Sequence, residues 1–460
     1  MNAKVKVSRM QYGIGQGCFH AQQIRVMPDV AGLEIEPYRF VYDCGSDTAA
    51  IKTGQERPLD WAIRHFADND DPKRADKLHV DSLYLSHFQK DHIDGAKLLA
   101  KLVDLKEIVI PHLSHKQFAH ILCQQISSGG LTALTPGVQE YLAVLGRAAG
   151  DGPIIDGIPT TRVQGGGELP LPDAGGGTRV EPLRPGNPQV EYRISHSGGT
   201  STTWAHRSSR LLRIQSSKDI ALNPSDFWEL RVWSFAQDAA LTDAVIQELT
   251  ALTDAAGQPA LKSMIQGSVD LNEISWAFKN RVAIQDAYKK ALKSQGVSLG
   301  ADHNVVSLCL HSGPTDSMTY EWPLSYDNEL RLVRSLMGHR KASSWLGTGD
   351  ALLENPKVWA DFHQHFTQDG SDRTQKWQTV LMPHHGSEAG GNFNPGLLAG
   401  PIRYAVFSAG AFNKYRHPSR GVLELVADSS ATAVIVTEFN RPGFFEDLKY
   451  SLRPAAWGSW

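Results

Sequence analysis

Apolar positions along this 460-residue chain fall into short continuous runs that end abruptly in polar, chemistry-bearing residues. Residues 80–86 (VDSLYLS) are rich in β-formers and short enough for a buried strand, whereas residues 95–102 (GAKLLAKL) have helical composition. The loop between them carries His87, Gln89, Asp91 and His92. The same arrangement recurs downstream. The run Trp345-Leu346-Gly347 leads to Thr348-Gly349-Asp350, residues 379–382 (TVLM) lead to Pro383-His384-His385-Gly386-Ser387, and residues 404–408 (YAVFS) lead to Asn413 and Arg416-His417-Pro418. Polar donors that repeatedly follow strand ends are how a layered α/β domain gathers a site along one edge.

Between these runs the pattern changes period. Residues 108–111 (IVIP) predict a strand, and residues 114–150 turn helical, with Phe118, Ile121, Leu122 and Ile126 on one face. Residues 150–187 are rich in glycine and proline and predict loops and short strands. The spacing GxxxxGK[ST] of a phosphate cradle is absent there. Residues 229–235 (ELRVWSF) alternate like a strand. Beyond them, residues 238–256 and 271–295 predict helices, with Leu241, Val245, Leu249 and Leu252, then Ile274, Phe278, Val282 and Ile284, at helical spacing. The expected organisation is residues 1–112 as the first half of the main domain, 113–235 as a loop-rich continuation, 236–300 as a helical insertion and 301–460 as the second half.

Composition narrows the function classes. No run reaches the ~18 consecutive apolar residues of a spanning helix, and residues 1–6 (MNAKVK) have no apolar secretory core, so a cytoplasmic protein without a membrane partner is expected. Cys18, Cys44, Cys123 and Cys309 are widely separated and lack CxxC spacing, which argues against both a disulfide framework and a thiolate zinc knuckle. The net charge of -3 provides no global attraction to nucleic acid, so polyanion binding must be local. One local candidate is the basic strip Arg207, Arg210 and Arg213, with Lys218 and Trp204 nearby. A solvated strand edge would have the same composition.

Imidazoles and carboxylates crowded into one turn suit a divalent metal such as zinc or manganese. The order SHxxxDHxxG, TGD, PHHGS, HP resembles the metallo-β-lactamase superfamily, and within it the branch typified by the hydrolase domain of the competence protein ComEC. Residues 12–18 (YGIGQGC) and 40–46 (FVYDCGS) look like that branch's opening motifs, and residues 304–308 (NVVSL) look like its later strand. The resemblance implies an α/β fold, a metallo-β-lactamase αββα sandwich with a mostly helical insertion. It also implies one or two zinc or manganese ions, held by His87, Gln89, Asp91, His92, Asp350 and His385. Asp350 would bridge, one of His384 and His385 would complete the second site, with His385 favoured and the other hydrogen-bonding a ligand, and His417 would donate a proton or contact phosphate. Gln89 departs from the family pattern, where histidine or aspartate stands, and an amide oxygen is a poorer ligand. His303 is a candidate replacement donor.

The activity implied is hydrolysis by a metal-activated water, with a phosphodiester or nucleic acid as first substrate class. Hydrolysis of a small ester or amide, and a metal-poor binding module of a bacterial defence or toxin system, are the alternatives. The helical insertion is expected to decorate the sandwich, to gate the site or to dock a regulatory protein.

Overall fold

The computed structural model describes residues 3–28, 36–49, 54–68, 76–129, 131, 133–150, 152–163, 178–180, 190–196, 204–205, 208–214, 226–236, 239–297, 306–315, 318–321, 343–367, 371–388 and 391–452. Among them two nine-stranded sheets form. The first runs, in spatial order, Trp204–Ala205, Thr160–Val163, Ile108–Pro111, Ser82–Tyr84, Tyr38–Ser46, Gly17–Pro28, Ala3–Tyr12, Gly443–Leu452 and Met318–Glu321. The second runs Thr432–Val436, Tyr404–Ser408, Trp377–Leu381, Ser344–Gly347, Val306–Pro314, Asp226–Ala236, Ser208–Ile214, Val190–His196 and Thr178–Val180.

Each sheet is parallel in one half and antiparallel in the other. In the first, Tyr38–Ser46, Ser82–Tyr84, Ile108–Pro111 and Thr160–Val163 pair in parallel. In the second, Ser344–Gly347, Trp377–Leu381, Tyr404–Ser408 and Thr432–Val436 do the same. Parallel strands are covered on both faces, which is why Tyr38–Ser46 is buried at every position. The inner faces meet in one apolar cluster that joins Val5, Phe40 and Tyr84 to Trp228, Leu310 and Trp345. Trp345 is 1% exposed, and His20 stacks on it at 4.2 Å.

Helices cover both outer faces, giving an αββα sandwich. On the first sheet, Pro58–Asp68, Ala96–Leu102, His115–Ser128 and Pro136–Ala148 share a cluster with Leu83, Ile108 and Ile110. On the second, Pro356–Thr367 and Arg420–Asp428 pack Phe362, Phe366, Val422 and Val426 against Leu346, Val380 and Phe407. The helix boundaries follow local chemistry. Ser114 and Gln117 close a reciprocal capping box at the start of His115–Ser128, and Gly129 ends it at a φ of 82°.

The residues expected as a helical insertion form Ala239–Thr250, Lys262–Ile265, Leu271–Lys279 and Arg281–Ser294. Leu241, Val245, Leu249, Ile274 and Ile284 are buried in the same cluster as Phe118, Ile121, Leu122 and Ile126. One expectation fails: Val282 is 69% exposed. The helix breaks at Asn280 (φ −106°, ψ 32°), and the break resets the helical phase, which turns Val282 outward. No helix among the described residues is long and apolar enough to cross a membrane.

Candidate metal centre

The parallel strands of both sheets end on one edge, where open α/β folds bind ligands. Leu308 N donates to Ser86 O at 2.7 Å, tying the histidine loop of the first sheet to the second. Close approach is required here: a Cβ on Gly45 would strike the backbone of His92 and Ile93. At Gly349, whose φ is 53°, a Cβ would meet Ser307 Oγ at 2.5 Å and Ser86 Cβ at 2.7 Å.

Asp43 lies within the strand Tyr38–Ser46, three residues before its end, has a φ of 56° and is fully buried. Its carboxylate accepts from Ser86 N at 2.6 Å and from Ser86 Oγ at 2.7 Å, and pairs with His92 Nδ1 at 2.8 Å. The two oxygens thereby fix both the loop backbone and one imidazole. His384 and His385 also adopt positive φ, 48° and 56°. Such backbone costs roughly 1–3 kcal/mol per residue and persists where the surroundings impose it. Here they do: His384 Nδ1 pairs with Asn392 Oδ1 at 2.9 Å, His385 Nδ1 with Ser408 O at 2.7 Å, and Asn392 Nδ2 donates to Asp350 O at 2.7 Å. Asp350 N donates to Ser307 Oγ at 3.0 Å.

With every Nδ1 occupied, the Nε2 atoms of His92, His384 and His385 face the carboxylates. His385 Nε2 lies 3.2 Å from Asp91 Oδ2. His92 Nε2 lies 3.9 Å from Asp91 Oδ2 and 3.8 Å from Asp350 Oδ1. His87 Nε2 lies 3.4 Å from Asp350 Oδ2, and His384 Nε2 lies 3.9 Å from the same oxygen. Two donor triads result, His87/Asp91/His92 and His92/Asp350/His385, each with its ligand atoms within 4.8 Å of one another. Gln89 reaches the same group, its Oε1 3.4 Å from His87 Nε2.

The electrostatics match a cation site. Burial opposes ionisation of Asp91, but the positive field of His92 and a hydrogen bond from His385 hold its carboxyl well below the usual range. Burial likewise opposes ionisation of Asp350, and His87, His384 and His92 override it in the same direction. Burial and the neighbouring His92 push His87 down to about 4. Burial would also neutralise His92, yet Asp43 and Asp91 raise it to about 10.

These residues fit a bound divalent metal. Four donors around an ion at ~2.1 Å stand about 3.4 Å apart, and imidazole with carboxylate is a donor set for zinc or manganese. His92 Nε2 is a buried nitrogen without a hydrogen-bond partner, set between two carboxylate oxygens beyond hydrogen-bond reach. A cation in that gap would satisfy all three groups.

The other expected residues are distributed as follows. His417 is half-buried, with its ring 5.6 Å from that of His384, at the rim of the site. Arg207 and His303 lie outside the described residues. Arg210 and Arg213 fall on Ser208–Ile214, three strands from Ser344–Gly347 in the sheet order, and Arg213 pairs in register with Asp226 at the end away from the donors. The described residues therefore do not bring this strip to the site. Sequence reasoning left out Asp43, Ser307, Asn392 and Ser408 as supports of the centre. For Asp43 a signal was present in the motif of residues 40–46; for Asn392 and Ser408 no spacing could have indicated them.

No protein-family model matches the chain, and no curated protein matches it. Among solved structures, a long-form RNase Z from yeast is 8% identical over 95% of this chain and 36% of that chain, with a TM-score of 0.27. A subclass B3 metallo-β-lactamase isolated from a soil metagenome library is 15% identical over 63% of this chain and 94% of that one, with a TM-score of 0.19. A metallo-β-lactamase from Novosphingobium pentaromativorans is 14% identical over 63% and 91%, with a TM-score of 0.17. The chain spans about a third of the length of the RNase Z. These likenesses are slight, and the fold is read from the chain's own layers and strand order. Helix, sheet, sheet, helix, with the candidate donors gathered on one edge, is an αββα sandwich, the layering that the motif order led one to expect.

Proposed function

We propose that this chain is a metal-dependent hydrolase that cleaves phosphodiesters. The observation that carries the reading is the position of Asp350, whose Oδ2 faces His87 and His384 while its Oδ1 faces His92. One carboxylate thus serves both halves of the donor set, as an arrangement for two neighbouring cations requires. His87, His384, Asp350 and the amide oxygen of Gln89 would hold one ion; Asp91, His92, His385 and Asp350 would hold the other. His384 and His385, expected as alternative ligands of one site, are in this reading both ligands, and His384 makes up for the weak donor Gln89. When bound, such ions supply an acidified water and stabilise charge on the attacked group.

The chain's own residues do the rest. Asp43 holds His92 through Nδ1 and so keeps Nε2 directed at the donors. The burial of Asp350 and His87 keeps bulk water from competing for their donor atoms. Hydrolysis forms a bond from water oxygen to phosphorus and breaks the bond to the leaving oxygen, which must depart with a proton. His417, whose ring lies 5.6 Å from that of His384 at the rim, would deliver that proton.

The test is cleavage of bis(p-nitrophenyl) phosphate and of DNA and RNA by purified protein supplied with manganese or zinc, with Asp350→Ala prepared identically. Activity in the parent alone supports the reading. Equal activity in both proteins, or cleavage of esters and lactams only, overturns it.

A further inference from the structure

Beyond the strand Tyr404–Ser408, residues 410–417 (GAFNKYRH) form a loop that leaves large rings and cations on the surface at the rim of the donor set. Phe412 is 87% exposed and Tyr415 49%. The Phe412 ring meets Phe439, itself 56% exposed, edge-on at 6.0 Å. Lys414 and Arg416 alternate with the rings and are exposed, and Lys414 Nζ lies 4.7 Å from the Tyr415 ring centre. Close by in the chain, Arg441 follows Phe439 by two residues and sits 5.1 Å from the Trp61 ring.

The loop is braced from within. Asn413 Nδ2 donates to Gly410 O at 2.7 Å and to His417 O at 2.8 Å, while Asn413 Oδ1 accepts from His417 N at 2.8 Å. Two carboxylates bear on this surface: Glu438, buried, accepts from Ala411 N at 3.0 Å, and half-exposed Asp47, 3.7 Å from Lys90 Nζ, lies within the field of Lys414. A row of rings connects this surface to the donors. Tyr415 lies nearly parallel to His417 at 5.6 Å and 12°, His417 is 5.6 Å from His384, and His384 Nε2 is 3.9 Å from Asp350 Oδ2.

Exposed ring faces contribute little to the core, and rings interleaved with cations match a chain of bases joined by phosphates. We propose that the loop of residues 410–417 is a stacking platform for single-stranded nucleic acid, with Phe412 and Tyr415 receiving unpaired bases and Lys414 and Arg416 the flanking phosphates. The inference rests on the phosphodiesterase reading and deepens it. A duplex keeps its base faces stacked on one another, so the platform selects single strands. Ring faces do not distinguish base identity, so it accepts DNA and RNA sequences without strong preference.

The experiment measures binding of fluorescein-labelled oligothymidylate, oligouridylate and a duplex of equal length by anisotropy, using the full chain freed of metal by a chelator so that the probes stay intact. Phe412→Ala, which removes a ring that packs little of the core, should weaken single-strand binding roughly tenfold, and Phe412→Trp should restore it. In turnover, Phe412→Ala should raise KM for the oligonucleotide and lower the ratio of its kcat/KM to that for bis(p-nitrophenyl) phosphate. Equal oligonucleotide affinity in parent and Phe412→Ala overturns the platform. So does Phe412-dependent binding to vesicles of anionic phospholipid with none to oligonucleotides, which would make the loop a membrane contact. If no phosphodiester is cleaved while Phe412-dependent binding of single strands persists, the hydrolase reading falls and the platform stands.

Discussion

His92 Nδ1 lies 2.8 Å from Asp43 Oδ2, although 49 positions separate them. A strand of the first sheet thus orients the imidazole of a loop that begins only after another strand has been laid beside it. The same carboxylate takes both hydrogen-bond donors of Ser86, so it supports the loop and the ligand together.

Asp43→Asn preserves size and tolerates the left-handed backbone, but it places an amide N–H2 against donors. Metal affinity should fall about 10- to 100-fold, as it does when partners behind a ligand are lost. Titration calorimetry with zinc or manganese, alongside a thermal melt showing a folded protein, reads this directly. An unchanged affinity would mean that Asp43 serves the backbone alone.

Metal uptake should release a proton. In the protein freed of metal by a chelator, His92 is raised to about 10 by Asp43 and Asp91, so its ring is charged at neutral pH. A ligand must be neutral, so binding expels that proton, and affinity should rise with pH up to about 10, by roughly tenfold per unit while one proton is displaced. His87, pushed down to about 4, is already neutral and adds nothing above that value. The sign for folding is the reverse. His92 contributes stability that is fully present below the ordinary histidine value and is lost as pH rises through about 10. Calorimetry in buffers of differing ionisation enthalpy counts the proton; a count of zero at pH 7.5 would contradict the assignment.

Gln89→His should strengthen the weaker of two metal sites about tenfold, because an imidazole replaces a neutral amide beside His87. Asp350→Ala should lower occupancy at both sites, since its two oxygens face both halves of the donor set. Native mass spectrometry resolves these stoichiometries. Loss of only one ion in Asp350→Ala would show that the carboxylate is not shared.

Tyr141 Oη donates to Phe88 O at 2.7 Å from a fully buried position, joining the helix Pro136–Ala148 to the histidine loop. Tyr141→Phe removes that donor and should cost about 1–2 kcal/mol in urea unfolding. Metal stoichiometry should not change. A loss of metal with unchanged stability would assign Tyr141 to the site instead of the scaffold.

The residues that bear the candidate donors were legible in the chain because they depend on local order, whereas the αββα class was expected only through the family resemblance that the order of the motifs carries. Short apolar runs buried on two faces read as parallel strands, and a ligand must follow a strand end to reach a sheet edge. His87, Asp91, His92, Asp350, His384 and His385 are all readable in this way. Their division into donor groups is not, since it depends on how two sheets meet. Which oxygen of Asp350 faces which histidine follows from the contact of Leu308 N with Ser86 O and from the turn that Gly349 permits. The supports were equally hidden: Asn392 and Ser408 reach the histidines through hydrogen bonds that close only after the chain has folded. Helical periodicity in the insertion failed at Val282 for a related reason, because it assumes one unbroken helix where Asn280 ends one and begins another. Periodicity records burial along a single element; distances between elements arise from packing, and the chemistry of this edge is made of those distances.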